Sequence, residues 1–221
     1  MNVSEALNSR YTCRAFKADP VARETLTKIF DDALRAPSWA NTQPWEIYIA
    51  GGQILEDLRQ ACLKNFHKGV PINSDMPRPG QWPAPIEARM RELGAARFKS
   101  MEIEQGDQAA RMEISENNHR FFGAPVVAYL CMDHSLSSWS IHDLGMMSQS
   151  IMLAAQDRGV ASAIAFNLVV YPDLIRSSLA IPDELDIIIG IALGYDNPGH
   201  KQNKFRSPRR PVDEVVRMQG I

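Results

Sequence analysis

The sequence has few cysteines, no long apolar run and almost no net charge, and each absence excludes a class of protein. Cys13, Cys62 and Cys131 are widely separated and odd in number, which argues against a disulfide scaffold and for a reducing cytoplasm. No apolar stretch approaches the ~18–20 residues that a membrane-spanning helix needs. Met1-Asn2-Val3-Ser4-Glu5 lacks the basic start and apolar run of a secretory signal. A formal net charge of −2 leaves no broad basic surface for nucleic acid. The chain also lacks a Gly-x-Ser-x-Gly elbow, a P-loop, a His-Glu-x-x-His helix and a Gly-x-Gly-x-x-Gly turn after a strand. Those gaps remove the common hydrolase, nucleotide-triphosphate, zinc-protease and Rossmann readings. Asp133-His134 and His142-Asp143 match no common metal-ligand spacing, so no metal is expected.

What is present is enough apolar residue, 45% of 221 positions, to bury a substantial core. No repeat, low-complexity tract or linker divides the chain, so residues 1–221 read as one domain. Leu26, Ile29, Phe30, Ala33 and Leu34 recur at helical spacing, which predicts a helix over 22–36 stopped by Pro37. Residues 46–50 predict a strand ended by Gly51-Gly52, followed by a helix over 53–67. Five prolines between 70 and 85 predict an extended loop. Charged helices are expected over 85–101 and 108–120. The continuous apolar run at 124–132 predicts a buried strand, and 185–193 a second, broken by Gly194. Between them lie a strand at 161–166 and a short helix at 171–179. The segment 139–158 is apolar almost all round, which marks a central core helix or a subunit interface, with Gly159 as its C-terminal cap. The tail from 197 has little core pattern. Val212, Val215 and Val216 within it need a surface to cover them.

Three segments carry the chemistry. Arg10, Thr12 and Arg14 alternate along Ser9-Arg10-Tyr11-Thr12-Cys13-Arg14 and share a face if that segment is extended. Three donors on one face suit a phosphate, with arginine fitted for bidentate contact. Taken alone, the segment reads more simply as two solvated arginines beside a helix end. Pro37-Ser38-Trp39-Ala40-Asn41-Thr42-Gln43-Pro44 joins a helix to a strand, where functional loops concentrate. Ser38, Asn41 and Gln43 offer neutral donors and acceptors for the edge of a flat heterocycle, or form a turn locked by prolines. Trp39 either covers a flat ligand or packs in a core or interface. Arg206, Arg209 and Arg210 form a third basic stretch near the C-terminus. One anionic ligand gripped from both ends of a near-neutral chain explains all three segments. A phosphorylated flat cofactor, flavin mononucleotide (FMN), fits them best.

In this order the segments resemble the FMN-dependent nitroreductase family. The resemblance is carried by Arg10 to Phe16, Ala36 to Trp45, Gln149 to Ala155 within 143–159, Ile189 to Tyr195, and the 206–216 tail. It implies an α+β fold: a three-layer sandwich with a mostly antiparallel central sheet, assembled as an intertwined homodimer. Residues 66–122 would form a helical excursion over the active site, and 197–221 an arm onto the partner subunit. Arg10, Tyr11, Thr12 and Arg14 would hold the phosphate, ribityl chain and pyrimidine end of FMN, with Arg206 and Arg209 completing the phosphate grip. The alignment around Pro208 leaves the choice among Arg206, Arg209 and Arg210 open. Pro37, Ser38, Trp39 and Asn41 would reach the ring from the other subunit, and Ile164 and Ala165 would lie near N5. The implied reaction is two-electron, ping-pong hydride transfer from NADH or NADPH through flavin N5 to a nitroaromatic acceptor. No catalytic side chain is implied. A flavin, quinone or activated-alkene reductase on the same fold is the nearest alternative, and a non-catalytic FMN-binding protein the next. Residues 77–122 resemble a subgroup that acts on nitroaromatic acids and nitro-substituted herbicides. Lys68, Arg78 and Arg120 are the cations available for a 2′-phosphate that would separate NADPH from NADH.

Overall fold

The computed structural model describes all 221 residues. Its helices are α1 (Val3–Ser9), α2 (Arg23–Ala33), α3 (Gly52–His67), α4 (Ala84–Ser100), α5 (Gln108–His119), α6 (Ser138–Asp157), α7 (Pro172–Leu179) and α8 (Val212–Val215). Its strands are β1 (Glu46–Gly51), β2 (Val126–Asp133), β3 (Ala161–Ala165) and β4 (Leu185–Gly194). They form one sheet in the order β1-β2-β4-β3, antiparallel throughout.

The sheet is buried on both faces because its central strands carry apolar side chains along nearly their whole length, Asp133 and Asp186 excepted. In β2, Val127, Tyr129 and Cys131 point into one core, while Val126, Leu130 and Met132 point into the other. In β4, Ile187 and Ala192 join the first, and Ile188, Ile191 and Leu193 the second. Alternation of side chains across the pleat gives each face its own set in β2, and a register shift opposite Leu130 and Cys131 changes the phase along β4. Leu55, Leu58 and Cys62 of α3 and Ile175 of α7 close the first core. Ile29 and Ala33 of α2 and Leu144, Met147 and Ile151 of α6 close the second. The result is the three-layer α+β sandwich expected from the sequence.

The predicted elements are present, with differences at their ends. The first core helix stops at Ala33, and residues 34–36 turn out of it before Pro37. Gly194 is the last residue of β4 and does not interrupt it. The tail is less empty of core than its pattern suggested, since a short turn at Lys201–Asn203 buries Gln202 and Asn203. Helix α1 had no apolar period to announce it, and only Ala6 of it is buried. A capping box starts it instead: Asn2 Oδ1 accepts from the Glu5 N–H at 2.9 Å, and Glu5 Oε2 accepts from the Asn2 N–H at 3.0 Å.

Helix α4 stands apart from the sandwich, whereas α5 packs beside α3, where His119 stacks on Phe66. No residue of α4 is buried, and Met101, Ile103 and Ile114 form a small separate cluster where the two helices meet. The proline-rich stretch before them is tied to α7 and β4, through Asn73 to Val170 and Asp173 and most firmly through Asp75. Asp75 receives both terminal nitrogens of Arg176, at 2.8 and 3.2 Å, and the backbone N–H of Ile187 at 2.7 Å. This carboxylate raises the Arg176 pKa above its ordinary value.

Gly190 in β4 lets the chain cross the sheet closely after β3. A Cβ at this position would lie 2.5 Å from Leu168 Cβ, in the turn Phe166–Leu168. Gly190→Ala must therefore push that turn, and with it the end of β3, off the sheet. A cost of about 1–3 kcal/mol is expected, read as a fall in melting temperature of about 2–12 °C.

Candidate functional site

The basic motif near the N-terminus runs beside the free edge of β3. Thr12 and Ser162 form a parallel bridge, and the Cys13 N–H donates to Ser162 O at 3.0 Å. Extended backbone here turns Arg10, Thr12 and Arg14 into one cavity of about 620 Å³, which Tyr11 also lines. Its opposite wall comes from the other end of the chain: Phe205, Arg206, Ser207 and Arg209. Helix α4 supplies the roof through Met90, Leu93, Gly94 and Arg97, and α1 closes the rim with Leu7 and Asn8.

Five arginines thus line one cavity, and no carboxylate lines it with them. The arginines that do form ion pairs are elsewhere: Arg59, Arg120, Arg158, Arg176 and Arg210. Arg210 is held by Glu214 at 3.2 Å and does not face the cavity, which separates it from Arg206 and Arg209. The Arg206 guanidinium lies over the Tyr11 ring at 3.6 Å. Tyr11 Oη donates to Asp196 Oδ2 at 2.7 Å, and burial together with that bond pushes its pKa up. Arg209 bonds only to oxygens of Ser207 and Pro208 beside it.

The electrostatics of this cavity are unfavourable as they stand. Burial lowers the pKa of Arg10, and the nearby Arg209 charge lowers it further. Burial likewise lowers that of Arg14. Arg97 is pushed down to about 10, by burial first and by Arg14 second. The Nε donors of Arg10 and Arg97 are buried without a partner, as is the hydroxyl of Ser162. Partly dehydrated like charges with spare donors are stabilised by an anion that several guanidiniums hold at once.

Asn203 holds the two chain ends in register. Its Nδ2 donates to Ala15 O at 2.7 Å and to Asn197 O at 2.9 Å, and its Oδ1 accepts from the Arg14 N–H at 2.7 Å. Asn203 itself is 2% exposed, so its amide has no access to water in place of these partners. Asn117 of α5 donates to Arg14 O at 2.8 Å, and Arg97 donates to Gln202 Oε1 at 3.1 Å. Arg97, Asn117, Gln202 and Asn203 were not foreseen from the sequence. Arg97 looked like one more charge on a solvated helix, and no local pattern announces an amide that works between distant segments. Asn203→Ala strips three bonds, one buried and two part-buried, and is expected to destabilise the fold by about 2–3 kcal/mol, measured as a lower urea midpoint.

The Pro37–Pro44 loop does not join this cavity within one chain, and neither Pro37, Ser38, Trp39 nor Asn41 lines it. The loop is nevertheless held in a specific shape. Asp143 of α6, 3% exposed, accepts from the Trp39 N–H at 3.2 Å, and Ser38 Oγ accepts from the Gln43 N–H at 2.9 Å. Ala40, Asn41 and Gln43 have φ of 47°, 58° and 47°, a left-handed conformation that costs roughly 1–2 kcal/mol at each non-glycine residue. Trp39 is 73% exposed and Trp139 is 72% exposed, and the two face one apolar cavity with Pro44 and Leu136. Ile164 and Ala165 end β3, half-buried, and pack into opposite cores. Of the three cations considered for a 2′-phosphate, Arg120 is tied to Glu116 at 2.6 Å, Lys68 follows α3 on the surface, and Arg78 lies over the Phe166 ring. No cluster of histidine, cysteine or carboxylate side chains has metal-binding geometry, and no helix is long and apolar enough to cross a membrane.

Known proteins are similar to this chain in sequence and fold over its whole length. The family model described as "Nitroreductase family" matches residues 7–195. A 4-nitrobenzoate reductase of Pseudomonas putida is 30% identical over 96% of this chain and 93% of its own length. The crystal structure of the FMN and NADPH-dependent nitroreductase NfnB from Sphingopyxis sp. strain HMH superposes with a TM-score of 0.92 at 32% identity, covering both chains completely. That of the FMN-dependent NfnB from Mycobacterium smegmatis, in complex with NADPH, gives 0.92 at 28% identity, covering 98% of this chain and 97% of that one. The matched span includes the arginine motif beside β3, the loop at Pro37 and both buried strands, and on these grounds the chain belongs to the nitroreductase family.

Proposed function

We propose that the protein is an NAD(P)H-dependent FMN oxidoreductase that reduces nitroaromatic compounds. The observation that carries this reading is the cavity with five arginines and no carboxylate, built from both ends of the chain beside β3. Its spare donors and crowded cations fit the phosphate of FMN. The relatives described as 4-nitrobenzoate reductases and FMN-dependent nitroreductases agree with it.

Arg10, Arg206 and Arg209 hold the phosphate, and Arg97 adds a fourth cation from α4. The Thr12 hydroxyl serves the ribityl chain, and Tyr11 supports Arg206 from below. Arg14 sets a positive charge toward the pyrimidine end. The backbone of Ile164 and Ala165 faces N5. When bound there, FMN would supply the two-electron chemistry that couples NADH or NADPH to a reducible acceptor. The protein supplies position and charge, and we assign no catalytic side chain.

The site is completed by a second copy of the chain. A compact monomer of 24.7 kDa exposes about 10,100 Å², whereas this chain exposes 13,026 Å². The excess lies in features that a partner would cover. Val212, Val215, Val216 and Met218 of the C-terminal arm are exposed, as are Trp39 and Trp139. Met146 and Leu153 on the outer side of α6 are half-buried. An excess of this size suits the interface of an obligate homodimer, in which the partner subunit's Pro37, Ser38, Trp39 and Asn41 reach the flavin ring. Residues 1–221 then act as one FMN-binding unit, with 66–122 as its cover and 197–221 as the arm.

Acceptor screening tests the reaction class. A nitroaromatic should be reduced with a higher kcat/KM than quinone, free flavin or an activated alkene. The reverse order would assign the protein to the reductases of those acceptors. Failure to oxidise either nucleotide with any acceptor would leave only flavin binding.

A further inference from the structure

A second cation site lies at the far end of β3. From Ser162, which bridges Thr12, to Phe166 the strand advances four residues, about 13 Å. That length separates the phosphate grip from whatever stacks at the ring end. Phe166 follows Ala165 directly and forms one wall of a cavity of about 300 Å³. Met76, Trp82 and Asn167 contribute other walls. Arg78 sits over the Phe166 ring, 5.0 Å from its centroid. No carboxylate lines this cavity, and Arg78 makes no ion pair within the chain. The segment that carries Arg78 is fixed by Pro77 and Pro79 on either side and by the Asp75–Arg176 pair, whose Asp75 lies three residues before Arg78.

Two aromatic faces, an amide and one unpaired guanidinium form a site for a flat ring that bears an anion. We infer that Arg78 selects acceptors carrying a carboxylate, so that the preferred substrates are aromatic acids with a nitro group on the same ring. The inference rests on the functional reading above, because it needs the flavin ring beside Ala165. The cavity is small, which suits a single-ring acid better than the ribose phosphate of a dinucleotide. The fork of the guanidinium matches a carboxylate in two parallel bonds. The ring lies against Trp82, with the guanidinium held over Phe166 and turned to the carboxylate, and the Asn167 amide is available to a second polar substituent.

The test uses the FMN-loaded protein and two non-reducible probes, benzoate and benzamide, titrated by calorimetry. Benzoate should bind the wild type more tightly than benzamide. In Arg78→Gln the benzoate Kd should rise about 10- to 100-fold, as expected for loss of a charge-assisted hydrogen bond, with benzamide unchanged. Steady-state kinetics should then show a matching fall in kcat/KM for 4-nitrobenzoate and little change for nitrobenzene. Unchanged benzoate affinity in Arg78→Gln would overturn the inference. So would a variant whose flavin is reduced more slowly by NADPH but normally by NADH, since the cation would then serve the 2′-phosphate. Wild-type protein that binds benzoate through Arg78 yet is not reduced by either nucleotide would instead overturn the oxidoreductase reading and leave the carboxylate site standing.

Discussion

Replacing Arg10 and Arg209 together with alanine is expected to weaken FMN binding by about 10²- to 10⁴-fold, because each guanidinium contributes a charge-assisted bond to the phosphate. Riboflavin, which lacks the phosphate, should bind the variant and the wild type almost equally. That contrast separates loss of a phosphate grip from collapse of the cavity. The apo protein provides a second check with the opposite sign. Arg10 and Arg209 repel each other across a partly dehydrated cavity with no carboxylate in it, so removing them should not destabilise the apo form. Wild-type protein at FMN concentrations of about 100 Kd should gain about 2.7 kcal/mol of stability, a rise in melting temperature of about 5–11 °C. The double variant should show almost none of this rise at the same concentration. Arg210→Ala, whose partner is Glu214, should leave FMN affinity close to that of the wild type.

Asp75→Ala should be the most destabilising single change outside the strands. It leaves Arg176, with a side chain 17% exposed, buried without its counter-ion, and strips an acceptor from the Ile187 N–H. Breaking a buried pair by removing one partner costs about 3–5 kcal/mol, which corresponds to a fall in melting temperature of about 6–20 °C for a chain of this size. Removing both charges, as in Asp75→Leu with Arg176→Met, should recover much of the loss. Because Asp75 also fixes the approach to Arg78, the surviving Asp75→Ala protein should retain FMN while its KM for an anionic acceptor rises. A melting curve and an FMN titration on the same preparation separate the two effects.

Much of the fold is legible in the sequence because the sheet is buried on both faces. Residues 124–132 are apolar throughout and 185–193 are apolar apart from Asp186, and runs of that length suit central strands of a covered sheet. The long helix at 139–158 is legible for the same reason. Helix α1 is not, since its formation depends on the Asn2–Glu5 capping box and it buries only one residue. The candidate site was partly legible. Arg10, Thr12 and Arg14 alternate, and an extended chain brings alternate residues to one face; the bridge from Thr12 to Ser162 is what keeps that chain extended. Arg206 and Arg209 differ from Arg210 only through Glu214, one turn further on. Arg97 and Asn203 were out of reach because their roles arise from segments about 80 and 190 residues distant from Arg14, joined only by folding. Trp39 was left between ligand contact and packing. Its high exposure beside Trp139 leaves it free to meet a second subunit, while Asp143 fixes the backbone that presents it.

The central claim is that this chain binds FMN and passes electrons from a nicotinamide nucleotide through it. An anaerobic visible spectrum of the purified protein, before and after addition of NADPH or NADH, tests that claim most directly. Flavin absorption bands that bleach on addition of nucleotide, and return when a nitroaromatic is supplied, are the expected result. A colourless protein that also fails to take up added FMN would contradict it.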